Sequence, residues 1–329
     1  MTDSLDADVP TQSPAVSAPA VDRLVRGVEA AMAGPLAQCL RGELSPEVTL
    51  MQLLCESESA AAVRLAVDQV TENADEHSRA TDQLLRDRAD ALTRLLVEHE
   101  DGCSRIAAML SEDVDTSAPA ATVEEGIAHA ERLFDWSVRQ SEEASVALYS
   151  LGSAGVLARA TDEVVGQLEH WGLLGADRTV LQIGCGIGRF ESALSPLVLA
   201  AYGVDVSGEM IRVAHRRCGG LPNVHLSKTS GRDLSQFDDA TFDLVYAVDT
   251  FPYLVQSGAA LVDVHFAEAY RVLGPGGGLV IFNFSYSGDV DADRREVERL
   301  ASRHGFAVRV GGERLLKLWN GVAWLMVRP

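Results

Sequence analysis

Apolar residues recur at three- and four-residue steps from about Val21 to Glu112, as in Leu24, Val28, Ala31 and again in Leu84, Leu85, Ala89, Leu92, Leu95, Leu96. That period predicts amphipathic helices. Ser45-Pro46-Glu47 reads as a helix start, with serine as cap and proline at the first helical position. His99-Glu100-Asp101-Gly102 reads as a stop between two helices. Residues 21–120 are therefore expected to form an N-terminal bundle of four or five helices. Residues 1–20, rich in Asp, Ser, Pro and Ala and without period, predict a disordered tail. Residues 111–121, SEDVDTSAPAA, read as a linker. Two further helical stretches follow, near 122–149 and 154–171. Beyond Thr179 the period shortens. Apolar, β-branched runs (TVLQIG, AAYGVD, VHLS, FDLVYA, GLVIFNF, FAVRV, VAWLMV) alternate with helical stretches. Strands separated by helices predict a doubly wound, mainly parallel sheet. The last two runs are too close for a crossover helix and predict an antiparallel hairpin at the sheet edge, turning at Asn320-Gly321.

The length of 329 residues fits two domains better than one. Lys and Arg number 28 against 48 Asp and Glu, a formal charge of −20. That argues against a surface built to grip nucleic acid or an anionic membrane. The excess is uneven: residues 1–121 hold 9 basic and 22 acidic residues, a net of −13, and the remainder holds 19 and 26, a net of −7. Five cysteines, at 39, 55, 103, 185 and 218, show no metal-ligand spacing and no disulfide framework. The acidic start MTDSLDADVP lacks signal-peptide features, so the expected location is the cytoplasm. Only Lys228 and Lys317 are lysines against 26 arginines, the bias of a GC-rich bacterial genome.

The densest chemical signal runs from Val180 to Phe190, VLQIGCGIGRF. A buried strand enters three glycines, Gly184, Gly186 and Gly188, and then a helix. Glycine is needed where backbone turns sharply and lets a ligand lie against it. The next strand ends at Asp205, 17 residues after Gly188. An acid there can accept hydrogen bonds from both hydroxyls of a ribose, which together with the glycine turn describes a nucleoside-binding crevice.

These residues resemble a known family. GCGIG, GVDVSGEMI, FDLVYAVDTFPYL and RVLGPGGGLVIF, in that order over about 122–329, look like the class I S-adenosylmethionine-dependent methyltransferases. The resemblance implies a Rossmann-like seven-stranded sheet with an antiparallel last strand. It implies S-adenosyl-L-methionine as cofactor and S-adenosyl-L-homocysteine as product. By the same resemblance, Gly184, Cys185, Gly186 and Gly188 pass the cofactor's methionine part and ribose, and Asp205 takes the ribose hydroxyls. Val206 and Met210 pack on adenine, and Ser230, Gly231 and Arg232 reach its edge. Ala247 and Val248 pass the methionine end. The helices before the first strand form a lid, with Phe134 as a cofactor contact. Two positions depart from the family pattern. Gln182 and Ser230 stand where members often carry acids, which leaves cofactor recognition resting more on Asp205 and the glycine backbone.

Methyl transfer is an in-line displacement, so the main task is alignment, and a base is needed only if the nucleophile must lose a proton. Candidate catalytic residues are Asp249 and Tyr253 after the fourth strand, Tyr286 after the fifth, and Glu143 in the lid. Each has a plainer reading: pocket packing for the tyrosines, a loop hydrogen bond for Asp249, and helix capping from Ser141 for Glu143. His265 and Trp319 read as packing residues. The expected function is methyl transfer to a small-molecule acceptor in bacterial secondary metabolism, with neither nucleic acid nor membrane as partner. A protein or peptide acceptor docked on the helical part, or a cofactor-binding member that transfers no methyl, are the alternatives. A homodimer through the N-terminal helices is the expected use of that part.

Overall fold

A computed structural model describes residues 17–76, 83–112 and 121–329. The expected tail thus lies mostly outside the described residues, as does most of the expected linker. The tail's last three residues belong to a helix: α1 runs Ala18–Leu24 and places a proline in its first turn, where the missing N–H costs nothing.

The chain divides into two compact units, Met1–Glu100 and Asp101–Pro329. The first holds α1, α2 (Ala30–Arg41), α3 (Pro46–Ser57), α4 (Ala60–Glu76) and α5 (Gln83–Glu98). Ser45 caps α3 as expected, accepting from the Val48 N–H at 3.2 Å. On α5 the residues that face inward are Leu85, Ala89, Leu92 and Leu96, the four-three-four spacing of a helix stripe. Buried Asn73 donates to the carbonyls of Leu24 and Arg26, tying the end of α1 to α4.

The boundary falls at residue 100, not near 120. The helix break expected at His99–Gly102 shrinks to His99, and α6 (Glu100–Ser111) runs through Gly102. A side chain at Gly102 would stand 1.8 Å from the carbonyl oxygen of Leu151, so only glycine lets α6 seat on that backbone.

The second unit continues with α7 (Val123–Gln140), α8 (Glu142–Val146), a 3-10 turn at Leu148–Ser150 and α9 (Ala154–His170). The sheet is built from β1 (Thr179–Ile183), β2 (Ala200–Asp205), β3 (Val224–Lys228), β4 (Phe242–Val248), β5 (Leu273–Phe282), β6 (Ala307–Arg314) and β7 (Val322–Val327). Between them lie α10 (Arg189–Leu194), α11 (Gly208–Cys218), α12 (Phe251–Ser257), α13 (Ala259–Val272) and α14 (Val290–His304). The strand order is β3-β2-β1-β4-β5-β7-β6. Strands β1 to β5 pair in parallel, and β7 is antiparallel to both β5 and β6. The Rossmann-like expectation is met, with the order reversing between β1 and β4, where a ligand crevice opens at the strands' C-terminal ends.

One sheet face carries Leu181, Ile183, Val245, Leu279 and Ile281 against Phe266, Ala269, Val297 and Leu300 of α13 and α14. Side chains alternate along a strand, so the register partners Gln182, Gly203 and Tyr246 share the other face. His265 is buried, its Nδ1 2.9 Å from the Leu261 carbonyl, and is a packing residue. Asn320-Gly321 is not the two-residue turn the sequence suggests. Seven residues, 315–321, join β6 to β7, and neither Asn320 nor Gly321 takes the left-handed conformation that turn requires. The Trp319 ring folds back over Gly321 instead.

Candidate active site

The glycine turn is left-handed at all three glycines, with φ of +73°, +52° and +72° at Gly184, Gly186 and Gly188. Each makes room for a different neighbour. A side chain at Gly184 would collide with Thr250, at Gly186 with Val146 of α8, and at Gly188 with Ala214 and Cys218 of α11. The turn is therefore pressed between the end of β4, the lid and α11.

Asp205 joins the turn to the next helix. Its Oδ2 accepts from the Gly186 N–H at 2.8 Å and its Oδ1 from the Ser207 N–H at 2.9 Å. Burial raises its carboxyl to about 6, with Asp135 adding in the same direction, while the two N–H donors pull it down. A carboxylate offers about four acceptor sites, so two remain for a diol. Met210 is fully buried on α11 and Val206 half-buried beside it.

The lid touches this frame at four points. Phe134 of α7 meets Tyr253 edge-on at 4.9 Å. Asp135 accepts from Ser207 Oγ at 2.6 Å and from the Glu209 N–H at 3.1 Å. Ile127 lies beside Gly231, and Val146 beside Gly186. Surface pairs Lys228–Glu131, Arg232–Glu124 and Arg216–Glu142 add to the seam.

The far end of the crevice lies at the tips of β4 and β5. Asp249 and Asn283 both adopt left-handed backbone, φ +56° and +62°. Asn283 pairs with Val322 through both its backbone N–H and its side-chain oxygen, and its Nδ2 donates to Asp249 Oδ1 at 2.8 Å. The Tyr286 hydroxyl donates to the same oxygen at 3.1 Å. Burial raises the Asp249 carboxyl to about 6 despite these donors. Tyr253 stands edge-on to Tyr286 at 6.1 Å, and burial pushes its hydroxyl up to about 12. Tyr149 stacks on Trp319 at 5.6 Å, and Trp319 leans on Phe282.

Of the sequence-derived catalytic candidates, the structure brings Asp249, Tyr253 and Tyr286 together. It does not bring in Glu143, which is half-exposed on α8. The plainer reading holds there: Ser141 caps α8 by accepting from the Ala144 N–H at 3.2 Å. Of the cofactor candidates, Ala247 points into the core under α13, leaving only its backbone to the crevice. Val248 is buried. Cys185 is buried against Gly203. Ser230 is exposed, and Arg232 is exposed and paired with Glu124, so of that loop only Gly231 is enclosed. Sequence reasoning assigned no role to Arg189, which follows the glycine turn directly and whose burial the motif does not display.

Comparison with known proteins now decides the type of domain. Residues 181–281 match the family described as a methyltransferase domain. The chain carries a methyltransferase domain over those residues. The chain is 32% identical over 111 residues to the demethylmenaquinone methyltransferase of Tropheryma whipplei (strain Twist), covering 34% of this chain and 44% of that one. It is 32% identical over 106 residues to the O-methyltransferase cnsE of Penicillium expansum, covering 31% and 36%. It thus spans less than half the length of these curated relatives. A structure of Haemonchus contortus phosphoethanolamine N-methyltransferase 1 superposes with a TM-score of 0.48 at 16% identity, covering 63% of this chain and 49% of that one.

The methyltransferase domain fits S-adenosylmethionine as its cofactor. Gly186 and Asp205 hold a nearly buried carboxylate with acceptor capacity to spare beside a glycine backbone. Gly184, Gly186, Asp205, Val206, Met210 and Gly231 are the residues that could hold it.

Proposed function

We propose that the protein transfers a methyl group from S-adenosylmethionine to a small-molecule acceptor seated among Phe134, Tyr253 and Tyr286, with Asp249 orienting the acceptor and taking its proton. The observation that carries this reading is the Asp249 carboxylate, fixed by Asn283 and Tyr286 at the strand ends next to the cofactor frame. When bound, the cofactor supplies an electrophilic methyl on sulfur. In that chemistry an acceptor oxygen or nitrogen lone pair would take the methyl carbon while the thioether leaves. The acceptor's proton passes to Asp249, which is ionised above about pH 6. The three rings favour a flat or apolar acceptor held by edge contacts. The net charge disfavours polyanionic acceptors, and the curated relatives named for a quinone and for O-methylation support a small molecule. The arginine bias and the added helical unit support a tailoring role in bacterial secondary metabolism.

The test is S-adenosylhomocysteine release with a panel of phenols and amines, measured beside cofactor binding. Turnover with at least one, rising through about pH 6, is expected. Binding without turnover across the panel would instead support a member that keeps the cofactor and transfers no methyl.

We also propose that the first unit serves homodimerisation. Leu65 and Val97, 72% and 57% exposed on its helices, are apolar side chains that such a contact would cover. Light scattering of the full chain checks this, and a monomer at all concentrations sinks it.

A further inference from the structure

Arg189 follows Gly188 directly and opens α10, yet only 6% of it is exposed. Its guanidinium lies 4.3 Å from the Phe190 ring centre, and Nη1 donates one long bond, 3.3 Å, to Thr161 Oγ1. No ion pair links it to a carboxylate among the described residues. A guanidinium carries five N–H donors in a planar fork. Burying that charge without a carboxylate is costly, and proteins seldom do so without a partner.

A second buried polar group lies close by. Tyr149, on the turn that follows α8, is 2% exposed and held against Trp319. No carbonyl or carboxylate receives its hydroxyl, and the side chain that it faces is Arg189. Burial raises that hydroxyl above its ordinary value, and the Arg189 charge is the largest influence pulling it back. The same charge reaches the Asp249 carboxyl. A buried cation without a carboxylate and a buried hydroxyl that faces it therefore sit together, between the glycine turn and the Asp249 end of the crevice.

We infer that Arg189 and Tyr149 form a carboxylate subsite that receives the amino-acid end of S-adenosylmethionine, the guanidinium pairing with its carboxylate and the Tyr149 hydroxyl donating to it. This rests on the cofactor reading above. It adds what that reading lacks, a fixed point for the cofactor at the end opposite Asp205. A carboxylate on the acceptor would present the same chemistry, so the test separates the two sources.

Two ligands differ by the amino-acid end alone: S-adenosylhomocysteine and 5′-methylthioadenosine. Calorimetry of both on the full chain and on Arg189→Met, Arg189→Lys and Tyr149→Phe reads the subsite without turnover. Arg189→Met is expected to weaken S-adenosylhomocysteine about 10–100-fold, the size of a lost charge-assisted pair, and to leave 5′-methylthioadenosine within about 3-fold. Arg189→Lys should recover part of the loss, and Tyr149→Phe should cost about 3–10-fold for S-adenosylhomocysteine alone. Intact 5′-methylthioadenosine binding also certifies that a variant is folded. Equal loss for both ligands would overturn the proposal in favour of a packing role. Unchanged S-adenosylhomocysteine affinity, with a raised KM confined to acceptors bearing a carboxylate, would overturn it in favour of the acceptor. Failure of the unaltered chain to bind either ligand would refute the cofactor reading itself.

Discussion

The two ends of the crevice are built differently. At the Asp205 end, two backbone N–H groups and one carboxylate close a frame in which Gly186, Asp205 and Ser207 stand within 22 residues of one another. At the Asp249 end, side chains arrive from α7, the tip of β4, α12, the tip of β5 and the segment before β7. The first arrangement suits a ligand that never changes, because backbone donors do not depend on side-chain identity. The second suits a ligand that differs from protein to protein, because each contributing segment can be altered without disturbing the strands beneath it.

Removing Asp249 presses hardest on that contrast. Asp249→Asn keeps the hydrogen-bonding shape and removes the base. The expected loss in kcat is roughly 10²–10⁴-fold, with S-adenosylhomocysteine affinity unchanged by calorimetry. The unaltered enzyme should show activity rising through about pH 6, because burial raises the carboxyl there and only the ionised form accepts a proton. A variant with full activity would reduce Asp249 to a loop residue and leave alignment as the sole catalytic device.

Glu191 probes the floor under the Asp205 end. It is fully buried, both its oxygens lack partners, and one lies near Gly203 on the sheet face it shares with Gln182 and Tyr246. Burial raises its carboxyl to about 8, and the Asp205 charge pushes the same way. A carboxyl raised on folding contributes stability that is complete below its unfolded value near 4.5 and is lost as pH rises through about 8. Glu191→Gln removes that titration. The fall in unfolding free energy between pH 6 and pH 9 should shrink by about 2–4 kcal/mol, read by denaturant titration at the two pH values. An identical fall in the variant would mean that Glu191 ionises freely in the folded protein.

Asp205→Ala separates the ends by binding. Loss of a charge-assisted acceptor should weaken S-adenosylhomocysteine by about 1–3 kcal/mol in calorimetry. Because Asp205 also ties Gly186 to Ser207, a thermal melt must accompany the measurement. Unchanged affinity in a folded variant would detach the cofactor from the glycine turn.

How much of each end was legible follows from the same difference. The glycine turn, Asp205 and the strand order were readable, because fixed local spacing carries them: three glycines two apart, then an acid at the next strand's end. Tyr253 and Tyr286 were readable only as loop residues after strands, and nothing in their spacing foretold that they would share Asp249 with Asn283. Glu143 and Tyr149 show the limit. Both lie on one short lid segment, yet Glu143 is half-exposed on α8, which Ser141 caps, while Tyr149 is buried against Trp319, a difference that spacing does not display. Arg189 escaped notice inside the motif itself. Its burial depends on Thr161 and Phe190 from α9 and α10, a contact that no pattern of spacing displays. The unit boundary was misplaced for a related reason, since it is the lack of a side chain at Gly102 that seats α6 on Leu151.

The smallest expected effect tests how Asp249 is tuned. Tyr286 is 54% exposed, so water replaces its hydroxyl readily. Its bond to Asp249 stabilises the ionised carboxylate, and Asn283 supplies a second donor to the same oxygen at shorter range. Hydrogen bonds to the charged form lower a carboxyl's pKa, so losing one raises it. Tyr286→Phe should move the rising limb of the kcat profile upward by about half a unit and lower the plateau roughly 2–5-fold. Cofactor affinity should not move, because Tyr286 belongs to the acceptor end alone. A limb that stays in place while the plateau falls would assign Tyr286 to acceptor contact. A limb that shifts by more than a unit would make the tyrosine, not Asn283, the main donor that keeps Asp249 ionised.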